Sequence, residues 1–85
     1  MKSYSTTDFW KAYADLSPEM KKQAKKTYKL WQENSLHPSL HFKKVGKKLL
    51  SVRVSSGCRA LALKEGDDYY WIWIGEHDEY DRLLN

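Results

Sequence analysis

Four side chains in the middle and at the end of this 85-residue chain could work on a phosphate diester. Arg53 lies in LLSVRVSS and Arg59 in GCRALAL, while His77 and Tyr80 share the segment GEHDEYDRLL. Cleaving RNA without a metal needs a base for the 2′-hydroxyl proton, an acid for the leaving oxygen and cations around the pentavalent phosphate. Histidine serves as base or acid near neutral pH. The Tyr80 phenol can donate a proton or stack on a base, and the Arg59 guanidinium matches two phosphate oxygens at once. Lys43, Lys44, Lys47 and Lys48 flank the region in sequence and are expected, with Arg53, to bind RNA. Each residue also has a plainer role open to it. Arg59 could pair with the acidic tail at a strand edge, His77 could be a strand-end surface residue, and Tyr80 could pack a last helix. Glu76, Asp78 and Glu79 favour the N-terminal end of that helix, and they would repel RNA.

Other chemistries find no support. His37 and His41 are four apart, but Pro38 lies between them and no helix can align the pair. There is no cysteine pair, HExxH spacing, glycine-rich phosphate loop or GxSxG elbow. No metal or other cofactor is expected. The lone Cys58 cannot form an internal disulfide and is expected to be a small buried side chain in a strand.

The elements that must position these groups can be read from local signals. KSYST could be a short edge strand. Thr6 or Thr7 can cap a helix carrying Phe9, Trp10 and Tyr13 and ending near Leu16. Ser17, Pro18 and Glu19 restart a helix as cap, first helical residue and dipole partner. Met20, Ala24, Thr27, Tyr28 and Trp31 recur on the core side of that helix, and Lys22, Lys25, Lys26 and Lys29 share the opposite side. It ends around Asn34. Period-two alternation follows: Leu40 and Phe42 as one set, then Leu50, Val52 and Val54, with Ser51 and Arg53 facing the other way. Ser55-Ser56-Gly57 breaks the run, Cys58 to Leu63 resumes it, and Glu65-Gly66-Asp67-Asp68 is a hairpin turn. Tyr69 to Ile74 has large side chains on both faces, which implies a central, doubly covered strand. Asp78 to Leu84 reads as a final helical turn or two. The expectation is an α+β domain over residues 1–85, with two N-terminal helices on a small, mainly antiparallel sheet of three to five strands and a short C-terminal helix. Strands adjacent in such a meander are adjacent in space, so Arg53, Arg59, His77 and Tyr80 can converge at one end or face.

The charge is uneven. Residues 1–64 carry 14 Lys/Arg against four acids, and residues 65–85 carry one Arg against seven acids. A cationic body with an acidic rim suggests a polyanionic partner, although a lysine-rich helix also serves plain solubility. No apolar run reaches the roughly 18 residues of a membrane span, and no signal peptide opens the chain. A cytoplasmic protein that binds no membrane is expected.

The runs HPSLHFKKV, LLSVRVSSGCRALAL and YYWIWIGEHDEYDRLL, in this order behind two helices, resemble the RelE/ParE superfamily of bacterial toxin–antitoxin toxins. The resemblance covers nearly the whole chain. It implies a compact α+β toxin held inactive by a cognate antitoxin that wraps it. RelE-like members cut messenger RNA in the ribosomal A site, and ParE-like members poison DNA gyrase. Arg59 matches the arginine that RelE-like toxins use on the scissile phosphate, and Arg53 a strand lysine or arginine of the same site. His77 stands where some members have a catalytic arginine or histidine, and Tyr80 lies a few residues short of their terminal tyrosine. Ser51 occupies the place of a second catalytic lysine, and the acidic tail DEYDRLL stands where theirs is basic. The resemblance therefore implies a metal-independent mRNA endoribonuclease first. A gyrase inhibitor, or a catalytically degenerate antitoxin-binding member, is the alternative.

Overall fold

A computed structural model describes residues 2–84. The chain opens with a short strand, β1 (Ser3–Ser5), followed by helices α1 (Thr7–Ala14) and α2 (Pro18–Glu33). A 3₁₀ turn (Pro38–Leu40) leads into β2 (Lys43–Lys44), β3 (Leu49–Ser55), β4 (Cys58–Glu65) and β5 (Asp68–Glu76), and α3 (His77–Leu84) closes the described chain. The five strands form one sheet in the order β1-β5-β4-β3-β2. All neighbours are antiparallel except β1, which runs parallel to β5 with Ser3 opposite Tyr69 and Ser5 opposite Trp71.

Local chemistry explains the boundaries. The Thr6 hydroxyl caps α1 by accepting the Phe9 N–H at 3.2 Å and also donates to the Trp71 carbonyl at 2.9 Å, so one side chain fixes the helix start and ties it to β5. Ser17 caps α2 by accepting from the Met20 N–H, with Pro18 in the first turn. The β4–β5 hairpin turns at Gly66-Asp67, where Gly66 has φ +60° and therefore suits a residue without a Cβ.

Alternation assigns the two faces of the sheet. Val52, Val54, Ala60, Trp71 and Ile74 face α1 and α2, lining an apolar groove of about 180 Å³ between the helices. The core centres on Trp31, which is 1% exposed and packs edge-on against Phe42, Tyr69 and Trp71 at centroid distances of 5.1–6.0 Å. Such aromatic burial suits a chain too short for a large aliphatic core. Ser51, Arg53, Arg59, Leu61 and Trp73 take the opposite face, against which α3 packs.

The structure differs from the sequence-based expectations in four respects. Leu40 and Phe42 do not form a strand pair: Pro38 starts a 3₁₀ turn, Leu40 is buried at its end, and His41 adopts φ 44°. Strand β2 shrinks to two residues, pairing Lys43 with Ser51 and Lys44 with Leu50. On β5, Leu61 faces Trp73 but Ala62 faces Trp71, so Ile72 is an extra residue that reverses the alternation along the strand. Finally, β5 lies between β1 and β4 but is covered by α1 along the helix face, with α3 crossing only its C-terminal end.

Candidate functional site

The face beneath α3 gathers most of the expected groups. Arg53 and Arg59 are direct cross-strand partners on β3 and β4, so both guanidinium stems leave the same face. The Arg59 guanidinium lies 5.3 Å from the centre of the Tyr80 ring, a cation–π contact. One of its nitrogens donates to the Ser51 hydroxyl at 3.4 Å. Tyr80 in turn stacks against His77 at 5.9 Å and packs on Trp73 at 6.4 Å. His77 begins α3, and its Nε2 lies 3.3 Å from an Asp81 carboxylate oxygen one turn on. Helical spacing explains the arrangement: His77, Tyr80 and Asp81 fall on one side of α3, and β5 delivers that side over Arg59.

The burial pattern sorts these residues by what they can do. Tyr80 is 5% exposed, so its ring serves as a plate between Arg59, His77 and Trp73 and presents no free face to a nucleobase. His77 is exposed, and Arg53 and Arg59 are half-buried. Arg53 also borders a shallow recess at the open β3 edge, beside Gln23, Leu30, Ser39 and Leu40. Two like charges set directly opposite on a sheet repel one another, and an anion between them would relieve that repulsion.

Two contributors were not marked as site residues in the sequence. Ser51, read as a departure from the toxin pattern, is fully buried and anchors Arg59. A serine on the same sheet face as an arginine was the only available signal. Trp73 folds over Gly75, where a Cβ would stand 2.5 Å from the indole. Gly75 is the cross-strand partner of Arg59, so this glycine leaves room for an indole beside the guanidinium. The GEH motif held that information only as a glycine two residues after a tryptophan.

The lysines divide. Lys43 and Lys44 are consecutive in β2 and so point to opposite faces: Lys43 shares the Arg59 face through its partner Ser51, and Lys44 shares the helix face with Leu50. Lys44, Lys47 and Lys48 border a separate recess, so the fold does not wrap all four lysines around Arg59.

The remaining polar groups have structural roles. Cys58 is 2% exposed, and burial pushes its thiol up from 9.0 to about 11, helped by the Glu76 charge and opposed by a backbone hydrogen bond from Gly75. A thiol held neutral this way is not a nucleophile at neutral pH. The His37 ring accepts the Ser39 N–H at 3.2 Å and caps the 3₁₀ turn. Among the described residues, no group of three or more His, Cys, Asp or Glu is placed to hold a metal ion. No described helix is long and apolar enough to cross a membrane.

Two helices against one face of a five-stranded sheet, with basic side chains and a short helix on the other, define an α+β toxin fold of the RelE type. The RelE of a RelB–RelE antitoxin–toxin complex from Methanococcus jannaschii superposes with a TM-score of 0.76 at 16% identity, over 96% of this chain and 99% of that one. A YoeB/ParE toxin from Agrobacterium tumefaciens gives 0.68 at 14% identity over 91% and 99%, and a copper-bound mutant toxin from Helicobacter pylori gives 0.61 at 16% over 93% and 97%. No curated protein matches the sequence. The model of the ParE-like toxin domain matches residues 18–82, and the chain belongs to that family, within the RelE/ParE toxin superfamily.

Proposed function

We propose that this chain is the toxin of a toxin–antitoxin pair and acts as a metal-independent endoribonuclease on messenger RNA bound to the ribosome. The supporting observation is the Arg53–Arg59 pair next to the His77–Asp81 pair on one open sheet face. In this reading the two guanidinium groups hold the scissile phosphate, with Lys43 binding the strand alongside. Asp81 holds the His77 Nε2–H, leaving Nδ1 to take the 2′-hydroxyl proton. The 2′-oxygen attacks the adjacent phosphorus, the bond to the 5′-oxygen breaks, and that oxygen takes a proton from water. A 2′,3′-cyclic phosphate and a 5′-hydroxyl end result. Tyr80 and Ser51 position Arg59 rather than touching substrate. The partner carried over from the archaeal RelB–RelE complex is a cognate antitoxin, which would cover the basic face or the exposed aromatics Trp10 and Tyr28.

A second reading is kept by the family to which the chain belongs and by the engagement of Arg59 and His77 in internal contacts. It is a ParE-like DNA gyrase inhibitor that binds without chemistry of its own; a catalytically degenerate antitoxin binder would share those features. Induction followed by mapping of mRNA ends separates the readings. Arg59→Ala and His77→Ala should each lower cleavage at least 100-fold, the range expected for removing phosphate stabilisation or a general base. Undiminished cleavage in the double variant would overturn the assignment, and blocked gyrase supercoiling without RNA cleavage would favour the inhibitor.

A further inference from the structure

On the helix face of the sheet, at the end away from α3, the β2–β3 turn brings Lys44, Lys47 and Lys48 to one rim of an open recess of about 450 Å³. Lys64, near the end of β4, forms the other rim, and Phe42, Leu50 and Tyr69 lie beneath. All four lysines are exposed. Lys48 reaches Glu65 at 3.4 Å, and among the described residues Lys44, Lys47 and Lys64 pair with no carboxylate. The other acids of the β4–β5 hairpin, Asp67 and Asp68, sit at its tip and far strand, and the Asp68 carboxylate accepts the Lys2 backbone N–H at 3.2 Å. Edge lysines commonly guard a sheet against strand addition. That explains Lys44, but not Lys64 on an interior strand or Lys47 and Lys48 in a turn.

We infer that this recess is a second docking site for nucleic-acid phosphates, separate from the Arg53–Arg59 site and free of chemistry. The inference rests on the proposed RNA substrate. Lys64 is five residues from Arg59 on the same strand and points to the opposite face, a separation of roughly 16 Å along the sheet. β2 joins the two sites, because Lys43 faces the arginines and Lys44 faces the recess. A polyanionic backbone passing over this edge meets cations on both sides. Phosphate rather than base is the matching group: Lys64 Nζ lies 5.9 Å from the centre of the Tyr69 ring and occupies the face on which a base would stack. Flexible ammonium groups at a wide recess suit a series of phosphates more than one fixed carboxylate.

The test measures binding of a fluorescent, uncleavable 2′-O-methyl oligoribonucleotide across a salt series, using the whole chain. A Lys44→Gln/Lys47→Gln/Lys64→Gln variant with an unchanged melting temperature should bind roughly tenfold or more weakly at ~0.1 M salt, and its slope of log affinity against log salt should fall by about 2. Affinity within twofold of the parent with an unchanged slope overturns the inference. So does a recess that takes poly-glutamate but not the oligonucleotide, which would make it a dock for an acidic protein. Arg53→Gln/Arg59→Gln keeps the two proposals apart: loss of cleavage there with a silent lysine variant rejects the second site alone. Lysine-dependent binding by a chain that cuts no RNA rejects the nuclease reading alone.

Discussion

At the scale of single residues, Cys58 gives the clearest dependence on pH. Its thiol loses its proton near pH 9.0 when freed from the fold and near 11 inside it. Below pH 9 both states keep the proton and the full stability is present. Between pH 9 and 11 the unfolded chain ionises first, so stability falls as pH rises, by about 2–3 kcal/mol in total. Urea melts of the parent and Cys58→Ala over that range should show the difference between them shrinking by this amount; parallel curves would show that burial leaves the thiol unshifted. Arg59 and Tyr80 were legible as individuals, because an arginine and a tyrosine in those motifs are conspicuous. Their relationship was not. Whether a phenol faces solvent or props up a guanidinium depends on where a helix lands, and nothing within GEHDEYDRLL states that α3 turns back over β4.

Among the elements, those built from neighbouring residues were readable and those built across the chain were harder to place. Ser17-Pro18 and Glu65-Gly66-Asp67-Asp68 announce a helix start and a hairpin through their own backbone chemistry. The Leu40/Phe42 alternation misled because both side chains face the aromatic core, one from a 3₁₀ turn and one from the approach to β2. The bulge at Ile72 was invisible for a similar reason: in WIWI every residue is apolar, so a change of face leaves no mark in the pattern. The division of the lysines follows from β2 being two residues long and from the turn after it, a register that no composition can report. Trp31 is the most deeply buried side chain by which α2 meets the sheet. Trp31→Ala removes the ring shared by Phe42, Tyr69 and Trp71 and should cost about 3–5 kcal/mol, read from denaturant midpoints. A loss under 1 kcal/mol would mean that those neighbours close the gap themselves.

For the molecule as a whole, charge is distributed by position rather than by sequence half. The acidic segment splits, Glu65 to Asp68 going to one end of β5 and Glu76 to Asp81 to the other, while cations occupy the faces between. Arg53 against Arg59, and four lysines around one recess, are self-repelling arrangements within a chain of net charge +4. Raising salt from about 20 to 200 mM should therefore stabilise the free protein by on the order of 1 kcal/mol, a rise of about 4–8 °C in melting temperature. A fall would show that ion pairs such as Lys48–Glu65 outweigh the repulsion. The parallel pairing of β1 with β5 adds a constraint on timing. Ser3 to Ser5 are made well before their seat, Tyr69 to Trp71, and the cap of α1 is fastened to the Trp71 carbonyl. Those three residues have no strand to pair with until β5 exists. Closure of this edge of the sheet is thus held back until β5 has emerged, however early the two helices form.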